Sequence, residues 1–229
     1  MSIMARKATA EFIGTGFLVA TVVGSGVMAT NLTKDVGIQL LVNSLITGAV
    51  LVALILTLQP VSAAFNPVVT AVEALFGGIS WREAGVFATA QVTGGSLGAM
   101  VANLMFDLDA VSISTTQRSG GGLWLGEVVA TLGLVAVVFG SIRSGRTETI
   151  AFAVGGYITA AYWFTSSTSF ANPAVTVARM LSDTFAGIEP SSVPMFVLMQ
   201  LIGAGLAVAL VKVLYPSALH AVPTEGTNP

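Results

Sequence analysis

The sequence of 229 residues has no cysteine, a single histidine (His220), and only 9% charged residues. Without cysteine it can form neither a disulfide nor a cysteine-bound metal site, and one histidine cannot build a histidine metal cage. A Ser-His catalytic pair is equally disfavoured, and we expect neither a metal nor a cofactor. The net charge of −2 gives no reason to expect a nucleic-acid partner. Soluble domains carry about 25% charged residues, so an ordinary soluble domain is disfavoured as well.

Apolar residues, in contrast, make up 54% of the chain, and the mean hydropathy is +0.87. Six apolar stretches are long enough for a bilayer crossing, which takes about 20 residues. They cover residues 8–30, 38–58, 84–106, 123–142, 150–164 and 194–214, and the fifth is the shortest. Arg6 and Lys7 precede the first stretch as in a signal peptide, but its length and the presence of Glu11 favour a retained span.

Lysine and arginine predict the orientation of these six spans, because cytoplasmic loops carry more of them. With the N-terminus inside, six basic residues lie inside and three outside. The inner ones are Arg6, Lys7, Arg82, Arg143, Arg146 and Lys212, and the outer ones are Lys34, Arg118 and Arg179. We therefore expect an integral membrane protein with both termini in the cytoplasm.

Two shorter apolar segments, 66–76 and about 172–181, begin with a shared signature. The first reads Asn66-Pro67-Val68-Val69-Thr70, and the second reads Asn172-Pro173-Ala174-Val175-Thr176. Asparagine followed by proline is a favourable helix start, because asparagine caps the helix and proline fits its first position. Each segment is therefore predicted to be a half-helix.

Other landmarks repeat with the two signatures. Glu127 follows Glu11 by 116 residues, Asn172 follows Asn66 by 106, and Gln200 follows Gln91 by 109. The chain is thus interpreted as a tandem duplication, with a first repeat over 1–110, a connecting loop over 111–117, a second repeat over 118–216 and a tail over 217–229.

Each repeat crosses the membrane three times, so the second inserts upside down relative to the first. The half-helices then enter from opposite faces, and their N-termini should meet near the midplane. Irregular backbone at that depth is tolerated only where it lines a watery cavity. The repeat alone therefore predicts a pore or a central site.

The paired motifs resemble those of the aquaporin/glycerol-facilitator (major intrinsic protein) family, and the resemblance extends from Ala10 to Gln200. It implies an all-α membrane protein with six transmembrane helices and two half-helices in an inverted repeat. It also implies one pore per subunit, a homotetramer, and passive flow of small neutral solutes. The pore motifs would be Asn66, Pro67, Val68, Asn172, Pro173 and Ala174.

Four buried polar residues are expected to support this pore. Glu11 and Glu127 would be costly facing lipid, so we interpret them as buried acceptors that hold the loops before each half-helix. Gln91 and Gln200 are candidate braces between helices. The amides of the two motif asparagines can donate hydrogen bonds to a passing oxygen.

Two positions depart from the usual family pattern. Val68 stands where alanine is usual and is expected to tighten the midplane slightly. Val175 stands where typical members have the arginine of the outer constriction. The next basic residue, Arg179, lies about one helical turn deeper. We favour the interpretation that Arg179 donates hydrogen bonds to neighbouring carbonyls over the interpretation that it forms part of the constriction.

Counting back from the motifs predicts a selectivity filter of Thr47, Ala160, Ser169 and Val175. Ile46 is the alternative to Thr47, which is favoured because a hydroxyl facing lipid would be unpaired. This filter has no aromatic ring, histidine or arginine. It should therefore be wider and less polar than that of a strict water channel.

Such a filter would admit larger neutral solutes such as glycerol, urea or metalloid hydroxides. The valine replacement resembles the aquaglyceroporins of bacterial arsenic-resistance operons, which implies arsenous acid or methylated arsenicals as solutes and a bacterial inner membrane. The alternative is a generic glycerol, urea or water facilitator with no arsenic role. A junction-forming structural protein, an enzyme using the Ser166–Ser169 hydroxyls and a coupled transporter are less favoured, because no adhesive segment, nearby base or ionisable pair is apparent.

Overall fold

The computed structural model describes residues 1–216, and this part of the chain is helical without a strand. Six long helices and two short ones follow each other along it. They are α1 (Ile3–Leu32), α2 (Val36–Leu58), α3 (Pro67–Leu75), α4 (Trp81–Met105), α5 (Gly121–Arg143), α6 (Ile150–Phe164), α7 (Pro173–Ala178) and α8 (Val193–Leu214). The predicted all-α architecture of six spans and two half-helices is confirmed. His220 and the predicted tail lie outside the described residues.

Four of the long helices are apolar and long enough to cross a membrane by composition alone: Ile3–Leu32, Val36–Leu58, Gly121–Arg143 and Pro190–Leu214, the last being α8 together with the 3-10 turn that precedes it. Helix α4 has 25 residues but contains many glycine, alanine and polar residues. Helix α6 has 15 residues, with the bounds that the sequence predicts, and a single 3-10 turn (Thr147–Thr149) leads into it. These two helices complete the six crossings.

Asparagine and proline start both short helices. The Asn66 side-chain oxygen accepts a hydrogen bond from the Val68 amide (3.0 Å), and the Asn172 oxygen accepts one from the Ala174 amide (2.9 Å). In both helices proline takes the first helical position. Helix α7 is shorter than predicted, since it has six residues before a 3-10 turn over Arg179–Leu181.

The duplication appears as two equivalent helix pairs, α1 with α4 and α5 with α8, that pack closely through glycine. A Cβ atom on Gly94 would lie 2.1 Å from the carbonyl oxygen of Phe12, and one on Gly203 would lie 2.5 Å from that of Val128. Real side chains cannot approach this closely, so the helix backbones come together only because these positions lack a side chain.

The surface of the bundle is apolar, and its mainly hydrophobic interior also contains fully buried polar and charged side chains. Phe17, Leu45 and Leu201 are exposed, whereas Glu11, Glu127 and Gln91 are fully buried. In soluble proteins, charged residues such as glutamate are almost never fully buried unless they are paired. The fold is therefore built for a lipid surround, and its buried polar groups need partners within the protein.

Candidate pore and its constriction

The N-termini of α3 and α7 meet inside the bundle through reciprocal hydrogen bonds. The Asn66 amide nitrogen donates to the Ala171 carbonyl oxygen (2.8 Å), and the Asn172 amide nitrogen donates to the Phe65 carbonyl oxygen (2.7 Å). An amide nitrogen carries two protons, so each asparagine keeps one donor for a solute. Both asparagines line the same internal cavity.

A buried carboxylate holds the chain just before each short helix. Glu11 accepts hydrogen bonds from the amides of Ala64 (2.9 Å) and Phe65 (2.7 Å). Glu127 accepts from the amides of Phe170 and Ala171, both at 2.9 Å. Phe65 and Ala171 have left-handed backbones, with φ of 49° and 47°. This conformation costs side-chain-bearing residues about 1–2 kcal/mol, so the carboxylates hold the chain in a turn that it would otherwise avoid.

Two glutamines connect these carboxylates to the short helices. Gln91 donates to Glu11 Oε2 (2.7 Å) and to the hydroxyl of Thr70 (2.9 Å). Gln200 donates to Glu127 Oε2 (2.6 Å), and also to a threonine hydroxyl of α7, that of Thr176, at 2.9 Å. The threonines were not among the predicted site residues, although each stands at the fifth position of its Asn-Pro signature.

Three cavities follow one another through the bundle. The central one has a volume of about 50 Å³, and the flanking ones have about 200 and 360 Å³. Three hydroxyl-bearing residues, an arginine and the two motif asparagines supply the polar lining of the central cavity: Thr47, Tyr162, Ser169, Arg179, Asn66 and Asn172. Its apolar lining consists of Leu18, Val22, Leu51, Phe65, Leu134, Val154, Ile158, Phe170 and Val175.

The structure distinguishes between the two candidates on α2. Thr47 lines the central cavity and is 3% exposed, whereas Ile46 is 45% exposed on the surface of the bundle. The Thr47 hydroxyl lies 3.3 Å from the hydroxyl of Tyr162 on α6. Thr47 therefore faces the cavity and Ile46 does not, while the role of Thr47 in selectivity stays a prediction.

The prediction that Ala160 on α6 belongs to the selectivity filter is wrong. Ala160 is exposed on the surface, and Tyr162 lines the cavity instead. Positions two apart on an α-helix differ by about 200° in direction, so a counting error of two exchanges the inner and outer faces. The chain that follows α6 is irregular, with left-handed backbones at Thr168 and Ser169, and a fixed count across it fails. The prediction of a constriction without an aromatic ring is therefore also wrong.

The two valines of the motifs differ in their roles. Val175 lines the central cavity, as counting predicted. Val68 is buried in the hydrophobic core and does not line the cavity, so the expectation that it tightens the pore is wrong. Ser169 also lines the central cavity, and its buried hydroxyl has no hydrogen-bond partner within residues 1–216.

Arg179 lies in the pore lining, which corrects the prediction of an arginine-free constriction. It is 3% exposed and lines both the central cavity and the neighbouring cavity of about 200 Å³. Its Nε donates to the Ala186 carbonyl oxygen, as expected, and its guanidinium carbon lies 3.4 Å from the centre of the Phe170 ring. Because Val175 and Arg179 are four residues apart, they share one face.

A second arginine, Arg118, lines the cavity of about 200 Å³ from the loop before α5. Its Nε donates to the Gly187 carbonyl oxygen (2.8 Å). Burial lowers the pKa of Arg118, but a guanidinium stays protonated in proteins. Sequence reasoning used this residue only to orient the chain, and no motif marks its place at the cavity.

The cavity of about 360 Å³ lies at the other end and carries charges of both signs. Lys7 and Glu73 line it together with the loop Ser62-Ala63-Ala64 that precedes α3. Glu73 stands seven residues after Asn66, as Arg179 stands seven after Asn172. Equivalent positions of the two repeats thus present opposite charges at opposite ends of the passage.

The hydroxyl run over Ser166–Ser169 supports no catalytic site. The Ser166 hydroxyl donates to the Gly122 carbonyl oxygen (2.8 Å), and the Ser167 hydroxyl accepts from the Ser169 amide (3.3 Å). In the part of the chain that the structure describes, no cluster of histidine, cysteine, aspartate or glutamate could hold a metal ion. The chemistry of the site is hydrogen bonding along a passage.

Two half-helices that meet at a cavity inside a bundle of six long helices define a membrane channel of the aquaporin type. The family model of the Major intrinsic protein family matches residues 2–165 and 143–228. The chain belongs to this family and is therefore a passive channel for small solutes, not an enzyme.

Among its relatives, "Aquaglyceroporin AqpS" of Rhizobium meliloti (strain 1021) is 49% identical over 210 residues, which cover 91% of this chain and 90% of the relative. "Probable aquaporin NIP4-2" of Arabidopsis thaliana is 28% identical over 157 residues, or 66% of this chain and 55% of the relative. The solved aquaglyceroporin of Plasmodium falciparum shares the fold, with a TM-score of 0.74 and 18% identity over 94% of this chain and 98% of that one.

Proposed function

We propose that this channel conducts small neutral solutes that carry several hydroxyl groups, namely glycerol, arsenous acid and methylated arsenicals, as well as water. The observation that carries the proposal is the unpartnered Ser169 hydroxyl in a cavity with otherwise mostly apolar walls. Burying a hydroxyl without a hydrogen-bond partner costs free energy. A solute that forms a hydrogen bond with this hydroxyl therefore gains more binding free energy than it would at a group that already has a partner.

The cavity has two kinds of wall, and this division favours a particular shape of solute. Thr47, Tyr162 and Ser169 supply hydroxyls, while Leu18, Val22 and other aliphatic side chains supply apolar contact. Glycerol has an apolar carbon edge opposite its hydroxyls, and a methylated arsenical has a methyl group beside its oxygens. Either matches such a cavity better than water does, because water has no apolar edge.

The arsenic part of the proposal rests on Val175. Valine at this position resembles the aquaglyceroporins of bacterial arsenic-resistance operons, and here its side chain lines the central cavity. An arginine there would add donors and bulk to a cavity that already contains Arg179. Arsenous acid is neutral and carries three hydroxyls, so it presents nearly the same hydrogen-bonding surface as glycerol.

Uptake of glycerol, arsenous acid and water into proteoliposomes tests the proposal. We expect all three solutes to enter faster than they enter vesicles without the protein. Val175→Arg should lower the uptake rates of glycerol and arsenous acid at least about tenfold, since a second guanidinium would fill the cavity. Val175→Leu adds bulk without charge and is the matched control, for which we expect a much smaller reduction.

Rapid water flux with both larger solutes refused would contradict the proposal. Glycerol uptake without arsenous acid uptake would instead identify a generic glycerol facilitator. Undetectable flux of every solute would favour a structural membrane protein.

We also propose a homotetramer in the bacterial inner membrane, with both termini in the cytoplasm. The family resemblance and the six-to-three distribution of basic residues support this proposal. Native mass spectrometry in detergent should give four copies of the 23.3 kDa chain. A cysteine introduced at Ser2 in this cysteine-free chain should react with a thiol reagent only from the cytoplasmic side.

A further inference from the structure

Two arginines lie against one aromatic ring at the mouth of the pore. The guanidinium carbon of Arg179 is 3.4 Å from the centre of the Phe170 ring, and that of Arg118 is 5.1 Å from it. Both arginines also line the cavity of about 200 Å³, which we call the outer vestibule. Two positive charges thus share one cavity in a largely buried place, where the repulsion between like charges is poorly screened.

The hydrogen bonds of these two side chains leave several donors unused. Arg179 donates only from Nε, to the Ala186 carbonyl oxygen, and Arg118 donates from Nε and Nη2 to the carbonyl oxygens of Gly187 and Phe185. Among residues 1–216, none of these bonds goes to a carboxylate. A guanidinium has five donors, so N–H groups of both arginines remain available.

The walls of the outer vestibule do not supply the missing negative charge. Its other polar lining residues are Asn43, Tyr162 and Thr168, which are neutral. Glu127 lies deeper in the protein, and two main-chain amides and Gln200 already occupy its carboxylate. The inner end of the passage differs, because Lys7 is accompanied there by Glu73.

We propose that the outer vestibule binds a small, singly charged oxyanion between Arg118 and Arg179, and that the bound anion closes the pore to neutral solutes. Guanidinium groups bind planar oxyanions through paired, charge-assisted hydrogen bonds. Tyr162 and Arg179 line both the outer vestibule and the central cavity, so an anion held there stands where the vestibule meets the smaller central cavity.

The anion stops at this point because the central cavity, beyond Arg179, offers only neutral polar groups among mostly apolar walls. That cavity is only about 50 Å³ in volume, and most of its lining residues are apolar. Moving an ion from water into such surroundings costs far more than moving a neutral hydroxyl compound. The site is therefore inhibitory and gives the channel a response to anions on its outer face.

Water permeability of proteoliposomes, followed by light scattering in nitrate or in gluconate at equal ionic strength, tests the inference. Nitrate is a small planar oxyanion, whereas gluconate carries its carboxylate on a much larger chain of six carbons, which a cavity of about 200 Å³ accommodates less readily. We expect nitrate to lower the permeability in a saturable way and gluconate to leave it unchanged. Water is the readout, so the test does not depend on which larger solutes the channel conducts.

Arg118→Gln should raise the half-inhibitory nitrate concentration about tenfold, as expected for the loss of one charge-assisted hydrogen bond. Arg118→Lys keeps the positive charge but loses the paired N–H donors of the guanidinium. Its half-inhibitory nitrate concentration should lie between those of Arg118→Gln and the native protein. Arg146→Gln removes an exposed arginine from the opposite end and is the matched control. Calorimetric titration of the purified protein with nitrate should show the same order of affinities, and thermal unfolding identifies any variant that does not fold.

Equal inhibition by nitrate and gluconate would overturn the inference. So would equal shifts for Arg118→Gln and Arg146→Gln, or calorimetric binding without inhibition.

Discussion

The two repeats hold their short helices in the same way but end them differently. Glu11 and Glu127 each accept hydrogen bonds from two main-chain amides and one glutamine. Beyond this shared frame, α3 has nine residues and α7 has six. Position seven after the motif asparagine is Glu73 in one repeat and Arg179 in the other. The duplication thus preserves the support of the pore, while the residues at its two ends have diverged.

The largest expected effect tests whether the shared frame is equally important in both repeats. Glu11→Gln and Glu127→Gln each replace an acceptor oxygen by an amide donor that faces buried N–H groups. We expect each to lower the free energy of unfolding by about 3 kcal/mol, the usual cost of leaving charged-group hydrogen bonds unmade in the interior. Thermal unfolding in detergent measures the loss.

Glu148→Gln, at an exposed position, is the control and should change little. A loss confined to one of the two buried carboxylates would show that the repeats are not held alike.

The next effect concerns the crossings of α1 with α4 and of α5 with α8. Gly94→Ala and Gly203→Ala would place a methyl group 2.1 and 2.5 Å from a carbonyl oxygen, so we expect a loss of about 2 kcal/mol for each, from overpacking. The shift in unfolding temperature measures it.

Gly85→Ala and Gly205→Ala, on the same two helices with open space around them, are the matched controls. Alanine is the better helix former, so neither should destabilise the protein. Equal effects at crossing and control positions would contradict close glycine packing.

A smaller effect is expected at the constriction itself. Tyr162→Phe removes the hydroxyl that lies 3.3 Å from the Thr47 hydroxyl. We expect the ratio of glycerol to water permeability to fall about threefold, the size of one modest neutral hydrogen bond. Ala160→Val, on the exposed face of the same helix, should leave the ratio unchanged; a larger effect there than at Tyr162 would restore Ala160 to the filter.

The smallest expected effect compares Ser169 with Ala63, its counterpart 106 residues earlier. Ser169→Ala removes a hydroxyl that has no hydrogen-bond partner in the described chain. Stability should change by no more than about 0.5 kcal/mol, while glycerol flux falls about twofold and water flux stays the same. Ala63→Ser, in the cavity of about 360 Å³, should alter neither the glycerol flux nor the water flux. A marked loss of stability in Ser169→Ala would show that the hydroxyl is structurally bonded.

Sequence reasoning succeeded where a local pattern carries the structure. Asn-Pro predicts a helix start because capping involves only neighbouring residues, and both starts lie where expected. The bounds of α6 agree because the apolar stretch and the helix coincide. The boundaries of the two repeats and the selectivity role of Thr47, Ser169 and Val175 stay predictions.

It failed where a residue's direction depends on an irregular connection. Ala160 was reached by counting across a loop with left-handed residues at Thr168 and Ser169, and Tyr162 was missed. Val68 was expected at the pore, but it points into the core. Arg179 was expected to donate hydrogen bonds to neighbouring carbonyls. Its Nε does so, but the residue also lines the cavity.

The sequence by itself predicted a membrane protein with paired half-helices and two buried carboxylates around a pore or central site, and the resemblance of its paired motifs to those of the aquaporin family implied a channel. Hydropathy, capping and repeats are all properties of neighbouring residues or of composition, so no coordinates are needed to detect them. Only the tertiary structure decided which side chains face the solute. Tyr162, Phe170, Arg118 and Arg179 come from separate segments, and they meet because the left-handed turn before α7 folds the chain back into the bundle.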